Sequence, residues 1–272
     1  MVWIWCFASF MLTFFVVSGN WGQLPTPQLI AALWFPFLVL PWCLVAMVLG
    51  ITPVTGSRAE SLADGILSRP VTRYEYFLAC WAARVALVLG VFRIVTVPFV
   101  TVAAFAKRPV AEDAVGLYGV LSAVSVVGLV LTFQVSLGFL LGTLLRNTLF
   151  AAMVLIFVWF PVNMVLTTFQ LEEFSPISLN QALPSLLRQS WQEREEDPDV
   201  DLAAEYSEMA DRARQSFGMI FGGGQPAPKP KPGFYNREDF EDVSLLRLLL
   251  GYGIPTLLSI SLATFCFARR DL

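Results

Sequence analysis

Three polar side chains lie within long apolar stretches of the sequence and could take part in chemistry there: Arg93, Gln134 and Asn163. A guanidinium group in the hydrocarbon of a bilayer costs several kcal/mol unless it reaches water or finds a partner. Carboxamides, loop carboxylates, lipid phosphates or an anionic substrate can each be that partner. The sequence therefore predicts an intramembrane polar site at these residues, with a structural role for Arg93 favoured over a substrate role.

Groups that usually carry catalysis are scarce in this chain. There is no histidine, and the four cysteines lie in apolar segments at no metal-ligand spacing. The stretch "FGGGQPAPKPKPG" is glycine-rich but lacks the Lys-Ser/Thr pair of a phosphate-binding loop. The apolar segments contain no pair of Asp residues and no Ser-Lys combination that could form a catalytic site. The hypothesis of an intramembrane enzyme therefore has little support. We expect no metal, no cofactor and no ATP hydrolysis in this chain.

The elements that position these residues are predicted to be membrane helices. Hydrophobic residues make up 56% of 272 residues, and mean hydropathy is +0.66. Stretches nearly free of charge reach the roughly 20 residues that a helix needs to cross a bilayer. We expect an all-α integral membrane protein with six spans, near residues 2–18, 29–51, 77–105, 115–145, 149–169 and 245–267. Prolines should bend or loosen spans two, three, five and six, namely Pro36, Pro41, Pro98, Pro161 and Pro255.

The distribution of basic residues predicts the orientation of the chain, because short loops rich in Lys and Arg stay in the cytoplasm. With six spans, most basic loop residues fall on one side, and both termini share it; "KRPVAED" on the opposite side is the exception. The net charge of −3 gives no basic surface for nucleic acid. The cytoplasmic basic residues are Arg58, Arg69, Arg73, Arg146, Arg269 and Arg270.

The polar stretch "SRAESLADGILSRPVTRYEYF" separates spans two and three. Ser57-x-x-Glu60 and Thr72-x-x-Glu75 both have the pattern of a capping box, which predicts a helix start at each. The first helix should run from Arg58 to about residue 67, with Glu60 and Asp64 on its polar side, and end before Pro70. Its apolar stripe consists of Ala59, Leu62, Ala63, Ile66 and Leu67. The simplest interpretation is an interfacial helix on the cytoplasmic surface.

A second polar region, residues 170–244, is expected on the extracytoplasmic side between spans five and six. Its pattern predicts two surface helices, near residues 180–194 and 200–221, followed by a Gly/Pro-rich linker at 222–233. Its carboxylates follow no calcium-loop spacing, so a solvated acidic surface is favoured over a cation site. These carboxylates are Glu193, Glu195, Glu196, Asp197, Asp199 and Asp201.

The cytoplasmic run "LSRPVTR", residues 67–73, and the terminal "FARRDL" resemble the permease subunits of ABC-2 type transporters. The resemblance implies a coupling helix within residues 52–76 that docks on a separate cytosolic ATPase, which binds the ATP. It also implies a second permease copy or a homologue, a bacterial plasma or inner membrane location, and export as the direction of transport. The docking residues it implies are Arg58, Glu60, Leu62, Asp64, Ile66, Leu67, Arg69, Pro70 and Arg73.

The alternative that the sequence leaves open is a membrane scaffold that transports nothing. In that hypothesis the acidic region 170–244 recruits an extracytoplasmic partner, and the cytoplasmic loop only anchors the chain. The permease and the scaffold hypotheses predict the same organisation of the chain. Residues 1–169 form spans one to five, residues 170–244 form the outer region, and residues 245–272 form the last span with a short cytoplasmic end. Membrane lipid is a partner in either case.

Overall fold

The computed structural model describes residues 2–21, 24–39, 41–59, 72–105, 115–145, 147–168, 175–188 and 245–269. Within these ranges every regular element is an α-helix, as the composition predicts. In chain order the helices are α1 (Val2–Asn20), α2 (Thr26–Leu38), α3 (Trp42–Ala59), α4 (Arg73–Phe105), α5 (Leu117–Leu144), α6 (Thr148–Thr168), α7 (Pro176–Arg188) and α8 (Leu245–Arg269).

Five candidate membrane spans lie in these ranges, judged by length and apolar composition. They are Val2–Gly19, Thr26–Thr52, Tyr74–Ala103, Leu117–Leu144 and Leu245–Phe267. They coincide with predicted spans one, two, three, four and six, and they indicate a multi-pass membrane protein. The predicted fifth span coincides with α6, whose apolar stretch Thr148–Asn163 is shorter than the other five. The count of six spans stays a prediction.

The second span is interrupted in its middle. α2 ends at Leu38 and α3 begins at Trp42, directly after Pro41. Proline has no N–H, and its ring clashes with the carbonyl four residues earlier, so a helix cannot pass through this position undisturbed. Val39 still closes the last turn of α2 by donating its N–H to the Phe35 carbonyl at 2.9 Å. The sequence predicts that Pro41 bends or loosens the second span. In the structure the span is divided there into two separate helices.

α3 and α5 form the most extensive helix contact in the described part of the bundle. A Cβ built at Gly50 would lie 2.5 Å from the carbonyl oxygen of Val135, and one at Gly142 would lie 2.9 Å from that of Ile51. At Gly138 a Cβ would overlap the Met47 carbonyl oxygen. Glycines at these contacts let two backbones touch, which is how membrane helices gain packing energy without a hydrophobic drive.

Aromatic side chains join three helices at the end of the bundle where α4 starts. The Phe77 ring of α4 lies 5.5 Å from the Phe139 ring of α5, edge to face, and 5.1 Å from the Phe267 ring of α8. Such pairs add stabilisation beyond the area they bury. The start of α4 is therefore fixed against both α5 and α8.

α7 differs from its prediction as a surface helix near residues 180–194. It starts earlier, at Pro176, and most of its side chains are buried against α2 and the beginning of α5. The Gly116 N–H donates to the Leu187 carbonyl at 3.2 Å, and a Cβ at Gly119 would overlap that same carbonyl. The charges that suggested a surface helix follow Arg188 and lie outside the described residues.

The contact between α3 and α5 gives a first testable prediction. Gly138→Ala places a methyl group against the Met47 carbonyl, and we expect a loss of about 1–3 kcal/mol in unfolding free energy, the usual cost of overpacking. Thermal unfolding in detergent measures this loss. Gly128→Ala is the matched control on the same helix, because its Cβ would meet only the Leu89 Cδ2 at 3.5 Å. Equal stability of the two variants would contradict the close packing.

Candidate functional site

The predicted docking segment falls at the junction of α3 and α4. Arg58 is the next-to-last residue of α3, and Arg73 is the first residue of α4. α3 continues through Ser57 as far as Ala59, so the predicted helix start at Ser57 is wrong, because its backbone extends the preceding span. The other predicted docking residues lie outside the described residues: Glu60, Leu62, Asp64, Ile66, Leu67, Arg69 and Pro70.

The second predicted capping box is confirmed. The Thr72 N–H donates to the Glu75 carboxylate at 2.9 Å, and the Glu75 N–H donates to the Thr72 hydroxyl at 3.3 Å. These reciprocal bonds satisfy two N–H groups at the helix end that would otherwise have no partner. The Ser-Arg-Pro-Val-Thr-Arg run therefore leads directly into a helix whose first turn is fixed by its own side chains.

The three predicted intramembrane polar residues have different surroundings in the structure. Gln134 of α5 is fully buried and donates its side-chain N–H to the Leu38 carbonyl of α2 at 3.2 Å. Asn163 of α6 is buried and donates to the Trp159 carbonyl of its own helix at 2.9 Å. Arg93 lies on the exposed face of α4. Each amide thus has its own backbone acceptor, and the guanidinium points away from the bundle core.

Gln134 binds at the break in the second span. In an uninterrupted helix the Leu38 carbonyl would accept the N–H of residue 42, but the helix stops before that turn. The Gln134 side chain supplies a donor from the neighbouring helix instead. A backbone carbonyl left without a partner inside a bilayer costs several kcal/mol, so this bond stabilises the break.

Asn180 is a polar residue that the sequence reasoning missed. It lies on α7, is fully buried, and donates its side-chain N–H to the Ala31 carbonyl of α2 at 2.8 Å. Ala31 and Leu38 are seven residues apart on α2. The side-chain amides of Asn180 and Gln134 therefore bind this helix at two points about 10 Å apart along its axis. The sequence does contain a signal for this residue. A single amide side chain among apolar residues such as Leu179 and Leu183 is typical of a buried hydrogen bond.

The first helix carries two polar side chains on its inward face. Ser9 and Thr13, one turn apart on α1, are 0% and 1% exposed, whereas Trp3 and Phe15 are 83% and 70% exposed. Apolar outward and polar inward faces are the reverse of a soluble bundle and suit a helix surrounded by lipid. This distribution supports α1 as a membrane span.

Within the described ranges, the polar side chains are arranged to form hydrogen bonds. No group of three or more His, Cys, Asp or Glu side chains there is arranged to hold a metal ion. The Trp81 indole N–H donates to the Ser136 hydroxyl at 3.0 Å, and Ser136 donates in turn to the Thr132 carbonyl at 2.7 Å. Contacts of this kind align α4 with α5, and they position helices rather than reacting groups.

The Asn180 contact gives a second prediction. Asn180→Ala removes the only side-chain donor seen on the Ala31 carbonyl among the described residues, and we expect the unfolding free energy to fall by about 0.5–2 kcal/mol, the range for hydrogen bonds between membrane helices. Thermal unfolding in detergent and hydrogen exchange of α7 amides measure it. Gln181→Ala, at a half-buried neighbouring position, is the control. The same stability for both variants would contradict a holding role for Asn180.

The chain was compared with models of known protein families, with curated proteins and with solved structures, and none of these comparisons gave a match. The function of this chain is therefore inferred from its residues and helices. The features that bear on it are the segment between α3 and α4, the broken second span, and the two side-chain amides that bind α2.

Proposed function

We propose that the chain is the membrane subunit of an ABC-2 type transporter and that the segment 58–73 docks on a separate cytosolic ATPase. The observation that carries the proposal is the motif "LSRPVTR" between two span helices, whose Thr72 forms with Glu75 the capping box at the start of α4. Such a segment is short, polar and joined rigidly to a span. It is suited to transmit a movement from a cytosolic partner into the membrane.

The helices on either side of the segment would carry that movement. α3 has 18 residues and leads back to the break at Pro41, and α4 has 33 residues and contains the candidate span Tyr74–Ala103. Because α3 is packed backbone to backbone on α5, these two helices should move together. The break at Pro41 separates α3 from α2, which Gln134 of α5 and Asn180 of α7 both bind. ATP-driven closure would then be transmitted from α3 to α5, with the break as the hinge between α3 and α2.

The transporter would contain more than this chain. The ATP-hydrolysing subunit would supply the energy, and a second copy of the permease or a homologue would complete the path through the membrane. The distribution of basic residues supports an orientation with both termini in the cytoplasm, and the resemblance to ABC-2 permeases implies a bacterial plasma or inner membrane. We propose export as the direction. No feature of the chain favours a metal ion as cargo, and Arg93 is compatible with an anionic or lipid-like one.

Co-purification tests the docking proposal. The tagged chain, isolated in mild detergent from its own cells, should bring with it a cytosolic protein with a phosphate-binding loop. Leu62→Asp and Arg73→Glu should each reduce the recovery of that protein at least about tenfold, since buried apolar and charged contacts at an interface are worth more than 1.4 kcal/mol. Glutamate is favourable in the first turn of a helix, so Arg73→Glu should leave the start of α4 intact.

Arg108→Glu is the matched control, because it reverses a charge on the predicted opposite side of the membrane. It should leave the recovery of the ATPase unchanged. Full recovery with Leu62→Asp and Arg73→Glu would overturn the docking surface. If no protein with a phosphate-binding loop is recovered, the permease proposal fails and the scaffold hypothesis takes its place.

A further inference from the structure

Buried polar atoms without a hydrogen-bond partner are concentrated around the broken second span. Among the described residues, five such atoms lie on α1, on α2 and on the first residue of α3. Three are indole nitrogens and two are hydroxyl oxygens. They belong to Trp5, Ser9, Thr13, Trp34 and Trp42. Nearly all buried polar groups in proteins have a partner, so a cluster of exceptions needs a physical explanation.

The three indole groups set the strictest requirement. A Ser or Thr hydroxyl in a helix can turn to the carbonyl four residues earlier and satisfy itself there. An indole N–H can only donate, and it is held away from its own backbone by a rigid ring. Trp34 is 0% exposed, and the indole nitrogens of Trp5 and Trp42 are buried although their rings are half-buried. Each of these donors needs an acceptor from another element or from a bound molecule.

Two contacts between α1 and the second span define how these elements are aligned. A short connection joins Trp21 to Thr26, and at the other end the rings of Trp5 and Trp42 are in contact, with their centroids 5.9 Å apart. Trp5 lies 16 residues before Trp21, and Trp42 lies 16 residues after Thr26 (21 − 5 = 16; 42 − 26 = 16). Both ends therefore agree on one antiparallel register, in which residues at equal distance from the connection lie at the same level.

This register places the unpartnered groups of the two sides at matching levels. Four residues along α1 from the tryptophan contact, Ser9 is level with Leu38, and four residues further, Thr13 is level with Trp34. Ser9 and Thr13 are 0% and 1% exposed. The row of polar groups extends over about 12 Å, the rise of two turns of helix. We call it the polar seam; its members are Trp5, Ser9 and Thr13 of α1 with Trp34 and Trp42 of the second span.

Neighbouring helices close the polar seam without matching its groups. The Trp34 ring packs on Phe92 of α4 with centroids 6.1 Å apart, and α4 contacts α1 through another pair of phenylalanine rings at 5.4 Å. Gln134 of α5 binds the Leu38 carbonyl through its N–H, but its Oε1 is buried without a donor among the described residues. Donors and acceptor oxygens thus lie at the same levels with no direct bond between them.

We propose that the polar seam binds a row of water molecules, which bridge α1 to the broken second span. Water both donates and accepts, so one molecule can accept from an indole N–H and donate to a hydroxyl oxygen or to the Gln134 Oε1. Buried waters in proteins typically make about three such bonds. An ester oxygen of a lipid only accepts, so it would leave the Gln134 Oε1 without a donor. The members of the seam carry no charge that would hold an anion.

The water row does not rest on the docking of an ATPase. Direct bonds from Gln134 and Asn180 hold α2 against α5 and α7. The side chains of α1 in the polar seam are instead joined to the second span through water, whose bonds are nearly as favourable as direct ones. They can therefore shift against α2 by exchanging water partners, without leaving a polar group unmatched inside the bilayer.

Magnetic resonance of the full chain, isotope-labelled at its tryptophan indoles and held in nanodiscs of phosphatidylglycerol and phosphatidylcholine, tests the water row. Magnetisation should pass from water to the indole N–H of Trp5, Trp34 and Trp42, whose signals are assigned by single replacements with Phe. Trp81 is the matched control, because its N–H donates directly to the Ser136 hydroxyl at 3.0 Å. Transfer at Trp34 no stronger than at Trp81 would overturn the proposal.

A conservative variant tests the bridging itself. Thr13→Val keeps the shape of the side chain but removes a hydroxyl that would hold the water near Trp34, so the water signal of Trp34 should fall to the level of Trp81. Thr256→Val of α8 is the control, because that buried hydroxyl already donates to the Tyr252 carbonyl of its own helix at 2.6 Å. It should leave the Trp34 signal unchanged. An unchanged Trp34 signal in Thr13→Val, with the Trp81 signal in place, would contradict the bridge.

Two other outcomes would also overturn the water row. Transfer to these indoles from lipid glycerol or acyl protons in place of water would identify a lipid in the polar seam. Water transfer confined to Trp5 and Trp42, the two half-buried rings, would show access from one end only. Recovery or loss of the ATPase in the co-purification leaves the indole signals as they are, so the water row and the transporter proposal succeed or fail separately.

Discussion

The close packing of α3 on α5 is the contact on which the rest of the bundle depends. Gly50, Gly138 and Gly142 bring two backbones into contact, and a single methyl group at Gly138 would meet a carbonyl oxygen. In a bilayer, helices gain little from hiding apolar side chains, so packing and hydrogen bonds must hold them together. α2, α7 and α8 pack against α5 beside this pair.

Two buried hydrogen bonds from neighbouring helices hold the first half of the broken second span. Pro41 ends the regular bonding of the second span, and Gln134 and Asn180 donate to the carbonyls of α2 from two different helices. Such an arrangement keeps α2 in position while α3 leads into the segment that we propose docks on the ATPase. A span divided into a held half and a connected half is a physically reasonable element for a protein that changes conformation, and it gives the proposed coupling a mechanical basis.

Much of the fold could be predicted from the sequence. The apolar stretches gave five of the spans, and the Thr72–Glu75 box gave the start of α4. These features depend on local composition and on contacts between residues three or four apart. α7 was misjudged, because whether a short amphipathic helix lies on the surface or in a core depends on what packs against it. Likewise the break at Pro41 is stronger than expected, since a proline in a span bends or breaks it according to its neighbours.

The sequence by itself determined that the chain is helical, apolar and multi-pass in character, since hydropathy and helix length set these properties locally. It also identified Arg93, Gln134 and Asn163 as polar residues within apolar stretches. Only the tertiary structure decided that Gln134 binds the carbonyl at a helix break, that Asn180 holds α2, and that Arg93 faces outward. The reason is physical: the partner of a buried polar group is usually distant in the chain, and Gln134 and Leu38 meet only after the helices have packed.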